Sequence, residues 1–167
     1  MRYLIKPMES ETEMNGKGYV HWKSWQESYY DLINPAYLNE KMTLEGCQQA
    51  AHRWPERTLV AKEGERVIGF VCYGAYHDRT MPQYGEIYAL YVLQDYQKQG
   101  VGFALMNAAL EKLQAYSHIA LWVLKDNEKA IAFYQQYGFV FDGTEQELTF
   151  ITPITECRMI YQRKTLS

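Results

Sequence analysis

The stretch from Gly85 to about Tyr116 constrains the fold more than any other part of the chain. GEIYALYVL at Gly85–Leu93 reads as an apolar strand, Gln94–Gln99 as a polar loop, and Gly100 opens a helix with Leu105, Ala109 and Leu113 on one stripe. The join is Gln97-Lys98-Gln99-Gly100-Val101-Gly102-Phe103. Glycines where a loop enters a helix let the backbone approach a ligand closely. The free N–H groups of the first turn then face that ligand, with the positive end of the helix dipole behind them. Such a junction is either an anion site suited to phosphates or a glycine-assisted turn with no ligand, and the short pattern alone does not choose. A P-loop is excluded, because no G-x-x-x-x-G-K-[ST] run is present. The dinucleotide fingerprint G-x-G-x-x-G matches at Gly100 and Gly102, with Asp126 after the next strand, but Leu105 stands where the third glycine belongs. The polar loop before Gly100 is also too long for the tight turn of that motif, so a dinucleotide site is the weaker alternative.

The rest of the chain supplies a sheet and its cover. Arg2–Lys6 reads as a first strand, and Val20, Trp22, Trp25, Tyr29 and Leu32 fall at helical spacing from about Glu11 to Leu32. Asn34-Pro35 breaks the chain, a short helical piece follows at Ala36–Glu40, and Thr43 can cap a helix to about Trp54, ended by Pro55. Thr58–Lys62 and Val67–Tyr76 are joined by Glu63-Gly64-Glu65-Arg66 as a hairpin, and Ile119–Leu124 is apolar enough to be buried on both faces. Asn127–Tyr137 is a helix ended by Gly138, and Phe139–Asp142, Glu147–Ile151 and Glu156–Gln162 read as closing strands. The order predicts one α/β (α+β) domain over 1–167, with a sheet covered by helices.

At this point the sequence resembles the GNAT superfamily of acyl-CoA N-acyltransferases. Gln97–Gly102 is similar to the family's Q/R-x-x-G-x-G/A loop, and Asn127 to Phe139, with Ala130, Phe133, Tyr134 and Gly138 in register, resembles its N-x-x-A-x-x-F-Y-x-x-x-G-F element. Tyr88–Val92 resembles its fourth strand and the hairpin at 60–70 its second and third. The resemblance implies a mixed, mostly antiparallel central sheet of about seven strands flanked by helices, with a splayed parallel strand pair. It further implies acetyl-CoA as cosubstrate, with the amides of Gln99, Gly100, Val101, Gly102, Phe103 and Ala104 cradling its pyrophosphate. Gln97 would shape the loop and Lys98 would lie near the phosphates. The backbone of Leu90, Tyr91 and Val92 would pair with the pantetheine arm, which Asn127, Ala130 and Phe133 would line. Gln94 stands where the family often has a proline.

Acyl transfer to an amine needs a base, because an amine of pKa about 10.4 is almost wholly ammonium at neutral pH. Glu86 resembles the family's frequent base position, the alternative being an exposed strand-end carboxylate. Tyr134 matches the usual general acid, the alternative being a core tyrosine. The resemblance places the acceptor among Trp22, Trp25, Glu27, Ser28, Tyr29 and Tyr30, the loop Tyr76–Tyr84, and Thr144–Ile160. Within that groove Trp25, Glu27, Tyr29, Tyr30 and Asp78 would suit a cationic amine by charge and cation–π attraction. The expected function is acetylation of a primary amine on a small molecule, a polyamine being one such acceptor. A protein N-terminus or lysine, and a non-catalytic acyl-CoA-binding module, are the alternatives.

Composition closes off other classes. A net charge of −3 on 167 residues argues against nucleic acid as the main partner. Cys47, Cys72 and Cys157 form no C-x-x-C pair, and His21, His52, His77 and His118 make no ligand pair, so no metal is expected and the thiols suit a reducing cytoplasm. The N-terminus lacks a signal-like apolar run, and Ile87–Leu93 is far short of the roughly 20 residues that span a bilayer, so neither a secretion route nor a membrane partner is expected. The 15 tyrosines and four tryptophans fit core-edge packing, an aromatic pocket or a subunit interface, and with family habit they make a homodimer an expectation.

Overall fold

A computed structural model describes residues 2–164. Its strands are β1 (Leu4–Pro7), β2 (Thr58–Glu63), β3 (Arg66–Ala75), β4 (Tyr84–Val92), β5 (His118–Leu124), β6 (Val140–Phe150) and β7 (Thr152–Gln162). Its helices are α1 (Glu11–Ser28), α2 (Leu44–Ala51), α3 (Val101–Lys112) and α4 (Glu128–Tyr137). The seven strands form one sheet in the order β1-β2-β3-β4-β5-β7-β6. Every neighbouring pair is antiparallel except β4 and β5. This is the mixed α/β (α+β) sheet expected from the sequence, and a doubly wound dinucleotide fold is ruled out by its single parallel pair. Among the described residues no helix is long and apolar enough to cross a membrane.

Helices cover both faces. Val20, Met14 and Tyr19 of α1 pack with Val60, Val67 and Phe70 on one side. Leu105, Met106 and Ala109 of α3, with Ile131 and Tyr134 of α4, pack on Ile68, Val71, Ile87 and Ile119 on the other. The entry of α1 is fixed by charge as well as by apolar contact. Ser10 and Glu13 form a reciprocal capping box, and the buried Glu13 carboxylate also takes ion pairs from Lys6 of β1 at 2.7 Å and Lys62 of β2 at 3.1 Å. Burial acts to raise the Glu13 pKa. Hydrogen bonds from Lys6, the Glu9 and Ser10 amides and Lys62 outweigh it and hold the carboxyl well below the usual range.

Local differences from the sequence reading have physical causes. Helix α1 stops at Ser28 rather than Leu32, where the chain turns so that Leu32 and Ile33 donate back to the Tyr29 carbonyl. The piece expected at 36–40 is a π-helical turn at Tyr37–Lys41. Helix α2 is capped by Thr43, as the sequence suggests, but ends at Ala51, and Trp54 adopts a left-handed conformation, φ 50°. The two strands expected at 139–142 and 147–151 are one strand, β6, carrying an irregularity between Phe141 and Glu145 with Gly143 at positive φ.

His21, on the sheet-facing side of α1, stacks on Tyr91 at 6.0 Å and meets Phe70 edge-on. Burial, with Lys17 adding repulsion, lowers its pKa to about 4. Between that value and the ordinary 6.5 the unfolded chain binds the proton that the folded chain refuses, so stability falls as pH falls through this window. We predict a loss to this group of about 3 kcal/mol between pH 6.5 and 4, read by urea unfolding, which His21→Leu removes. The same slope in both proteins would contradict the assignment.

Candidate active site

The parallel pair β4–β5 is joined only at Tyr84↔His118, Gly85↔Ile119 and Glu86↔Ala120. Beyond that point β4 continues on β3 as far as Val92, and β5 continues on β7 as far as Leu124. The two facing edges therefore separate, and their backbone groups point into a cleft of about 830 Å³. A bulge assists the separation: Cys72 and Tyr73 of β3 face Ala89 and Ile87, leaving Tyr88 as the extra residue.

At the wide end lies the glycine-bearing loop. Gly100 takes φ 86°, a conformation that costs other residues dearly, and α3 starts at Val101 with no side-chain cap. The amides of Val101, Gly102 and Phe103 thus have no acceptor within the helix. A Cβ on Gly102 would come within 3.1 Å of the Phe133 ring, so a side chain there would intrude between α3 and α4. Gln97 ties the loop down: its Nε2 donates to the Val92 carbonyl at 3.0 Å, and its Oε1 accepts from Lys129 of α4 at 2.7 Å. The Ala104 amide already donates to the Gly100 carbonyl at 3.0 Å, so the run of free donors expected through Ala104 ends at Phe103.

The walls come from three elements. Leu90 and Val92 of β4 turn to the side of α3 and α4, whose Phe103, Ala130, Phe133 and Tyr134 line the cleft, Tyr91 turns to the α1 side, and Asn127 caps α4 through its side chain. On the α1 side Trp25 Nε1 donates to the Tyr91 hydroxyl at 3.0 Å, and that hydroxyl lies 3.1 Å from the Tyr29 hydroxyl. Burial, with Tyr29 beside it, pushes the Tyr91 pKa well up. Phe150 of β6 closes the roof against Tyr37 and Trp25, with ring centroids 4.7 and 5.8 Å apart. Among the described residues the Tyr134 hydroxyl makes no hydrogen bond, and burial, with Tyr29 adding to it, raises its pKa above the ordinary 10. It remains a proton donor at neutral pH.

Two carboxylates line the cleft, Glu86 at the last β4–β5 pair and Glu156 opposite Leu124. Glu86 is 6% exposed and accepts from the His77 amide at 3.1 Å, with His77 Nδ1 2.8 Å from the same oxygen. Glu156 of β7 has its pKa raised by burial and by the Glu86 charge, while its contact with Gln146 opposes that. Two further polar atoms in the cleft wall, Trp122 Nε1 and Ser24 Oγ, are buried without a hydrogen-bond partner among the described residues.

Of the residues singled out in the sequence, Trp25, Glu27, Tyr29, Glu86, Leu90, Tyr91, Val92, Gln97, Lys98, Gly100, Gly102, Phe103, Asn127, Ala130, Phe133 and Tyr134 line this one cleft. Tyr30 and Asp78 do not. Tyr30 is 65% exposed beyond the end of α1, and the Asp78 carboxylate closes on the Thr80 amide and hydroxyl instead. Val101 turns its side chain into the core, and Gln99 donates to the Asp95 carbonyl. The sequence did not point to Trp122 or Lys129, and it held His77 and Glu156 only within the acceptor stretches Tyr76–Tyr84 and Thr144–Ile160, because their places depend on strand pairing and on cross-sheet contacts that no local motif encodes. Among the described residues no cluster of His, Cys, Asp and Glu could hold a metal ion. The three cysteines are free, and burial raises each thiol pKa.

The sequence model of the acetyltransferase (GNAT) family matches residues 19–139. An uncharacterized N-acetyltransferase of Bacillus subtilis, YuaI, is 33% identical over 71% of this chain and 70% of its own length. The ribosomal protein bS18-alanine N-acetyltransferase of Escherichia coli is 28% identical over 65% of this chain and 87% of its own. The crystal structure of the PaiA N-acetyltransferase of Thermoplasma acidophilum in complex with coenzyme A superposes with a TM-score of 0.77 at 20% identity, covering 98% of this chain and 100% of that one.

The Tyr91 hydroxyl is the hub of the aromatic wall. Tyr91→Phe leaves the Trp25 indole N–H without its acceptor, and we predict a stability loss of about 1–2 kcal/mol by urea unfolding. An unchanged midpoint and slope would show that the three groups do not act as a unit.

Proposed function

Because the chain belongs to the acetyltransferase (GNAT) family, we propose that its cleft takes acetyl-CoA and passes the acetyl group to the primary amine of a small, cationic molecule. The divergence of β4 from β5 beside the uncapped start of α3 carries this reading. The residues present fit the cosubstrate. Free amides at Val101–Phe103 and the helix dipole suit a diphosphate, with Lys98 and Lys129 nearby for its charge. The unpaired edges of β4 and β5 offer backbone donors and acceptors to an amide-containing arm.

The bound cosubstrate supplies an activated acyl carbon and a thiolate leaving group. The chain's own residues do the rest. A β4 amide in the diverging stretch stabilises charge on the thioester oxygen as the amine adds. Glu86, held by the His77 amide and ring, removes the amine proton directly or through one water. The C–S bond breaks as the C–N bond forms, and the Tyr134 hydroxyl, kept protonated by burial, donates to the departing sulfur. Glu86 and Glu156 give the acceptor end negative charge, and Trp25 and Tyr29 give it aromatic faces, which together suit an alkylammonium group, while Glu27 accepts from the Gln94 amide beyond β4. The roof made by Phe150 favours a slender acceptor over a bulky one. A peptide N-terminus is the second reading, supported by the relative named as an alanine N-acetyltransferase.

An amine panel with acetyl-CoA, read by product mass, tests the reading: acetylated diamines and polyamines support the first, and acetylation of peptide N-termini alone supports the second. Tyr134→Phe should lower kcat by about 10²–10⁴-fold, within the range of general acid–base catalysis, with coenzyme A affinity unchanged. An undiminished kcat would remove Tyr134 from the mechanism. Gly102→Glu should abolish coenzyme A binding by calorimetry through bulk against Phe133 and negative charge at the helix start. Retained affinity would show that the diphosphate lies elsewhere.

A further inference from the structure

A second cavity, of about 330 Å³, lies on the α1 side of the sheet between the end of α2 and strands β2–β4. Three cations line it, Lys17, Arg53 and Arg57, and no carboxylate does. Lys17 is only 8% exposed, yet among the described residues it makes no ion pair. Glu13, one turn back on α1, is committed to Lys6 and Lys62. The Lys17 ammonium rests 4.7 Å from the Phe70 ring centroid, a partial compensation for lost water. A buried ammonium facing a cavity shared with two guanidinium groups lacks the counter-charge that buried cations ordinarily have. Trp54 stands at the rim, 66% exposed, held at φ 50° with the Arg57 guanidinium 5.6 Å from its ring. An indole kept outward in a costly backbone conformation gives the cavity one flat apolar wall.

We infer that the Lys17–Arg53–Arg57 cavity is a second binding site, for a small oxyanion group, phosphate or carboxylate, whose counter-charge Lys17 otherwise lacks. Lys17 supplies the point charge at the base, and the exposed arginines supply planar donors suited to two oxygens at once. The site adjoins the catalytic cleft, since Tyr88 and Ala89 line both cavities at the β4 bulge. Its occupant is therefore either the anionic end of an acceptor whose amine lies in the cleft or a free anion bound alongside. The first of these rests on the proposed acetyl transfer; the binding site itself does not.

Calorimetric titration with inorganic phosphate tests the site. It is run on the Gly102→Glu protein, whose glycine loop cannot compete for the ion, and on the same protein with Arg53→Ala and Arg57→Ala added. Both arginines are exposed, so their loss leaves the fold intact, which a shared melting temperature checks. The expected result is saturable binding in the first protein, weakened at least tenfold in the second. No saturable binding in the first, or equal affinity in both, overturns the inference. The occupant is then read from the unmodified enzyme at saturating acetyl-CoA. Phosphate that raises KM for the amine with kcat unchanged assigns the cavity to the acceptor's own anionic end, and an unchanged KM assigns it to a free anion.

Discussion

Two parallel strands that part after three residue pairs leave the backbone groups of their facing edges without a strand partner. Buried N–H and C=O groups are almost always paired, so an opening of this kind persists only where water or a ligand satisfies it. The sheet can tolerate the gap because each strand is held on its other side, β4 by β3 through Val92 and β5 by β7 through Leu124. The rest of the site follows from the split. α3 and α4 flank it on one face and α1 on the other, and both carboxylates and the aromatic wall gather along its length.

Charge is divided along the cleft. Its wide end has the amide-rich start of α3 with Lys98 and Lys129, while Glu86 sits at the narrow end, at the last β4–β5 pair, with its charge acting on Glu156. On the proposed reading, the diphosphate of the cosubstrate lies at the first end and the acceptor amine at the second. The same logic sets the proton carriers apart. Tyr134 is kept protonated by burial and Glu86 is anchored through His77 at the last β4–β5 pair, which suits the acid and base roles proposed for them.

The sheet, the loop and the α4 motif were legible because each is local. Strand alternation, a glycine pair at a helix start and the Asn127–Phe139 pattern all lie within a dozen or so residues of chain. The places of His77 and Glu156 were not legible, and for them the cause was non-local. His77 looks isolated until the β3–β4 connection folds it onto Glu86, and Glu156 becomes part of the site only through the β5–β7 register. Asp78 has the right charge and lies in the right loop, but its neighbour Thr80 offers nearer donors. The Ala104 amide could not be discounted before the first helical hydrogen bond, to the Gly100 carbonyl, had been located. The cations of the second cavity come from α1, the end of α2 and the turn before β2, and no motif joins them.

Amide hydrogen exchange with and without coenzyme A measures the central claim residue by residue. If the open edge of β4 and the uncapped start of α3 receive the cosubstrate, its addition slows exchange at Leu90–Val92 and at Val101–Phe103 together, while Ala104, already bonded, changes little. Exchange at both stretches that stays as fast with coenzyme A as without it would contradict the account.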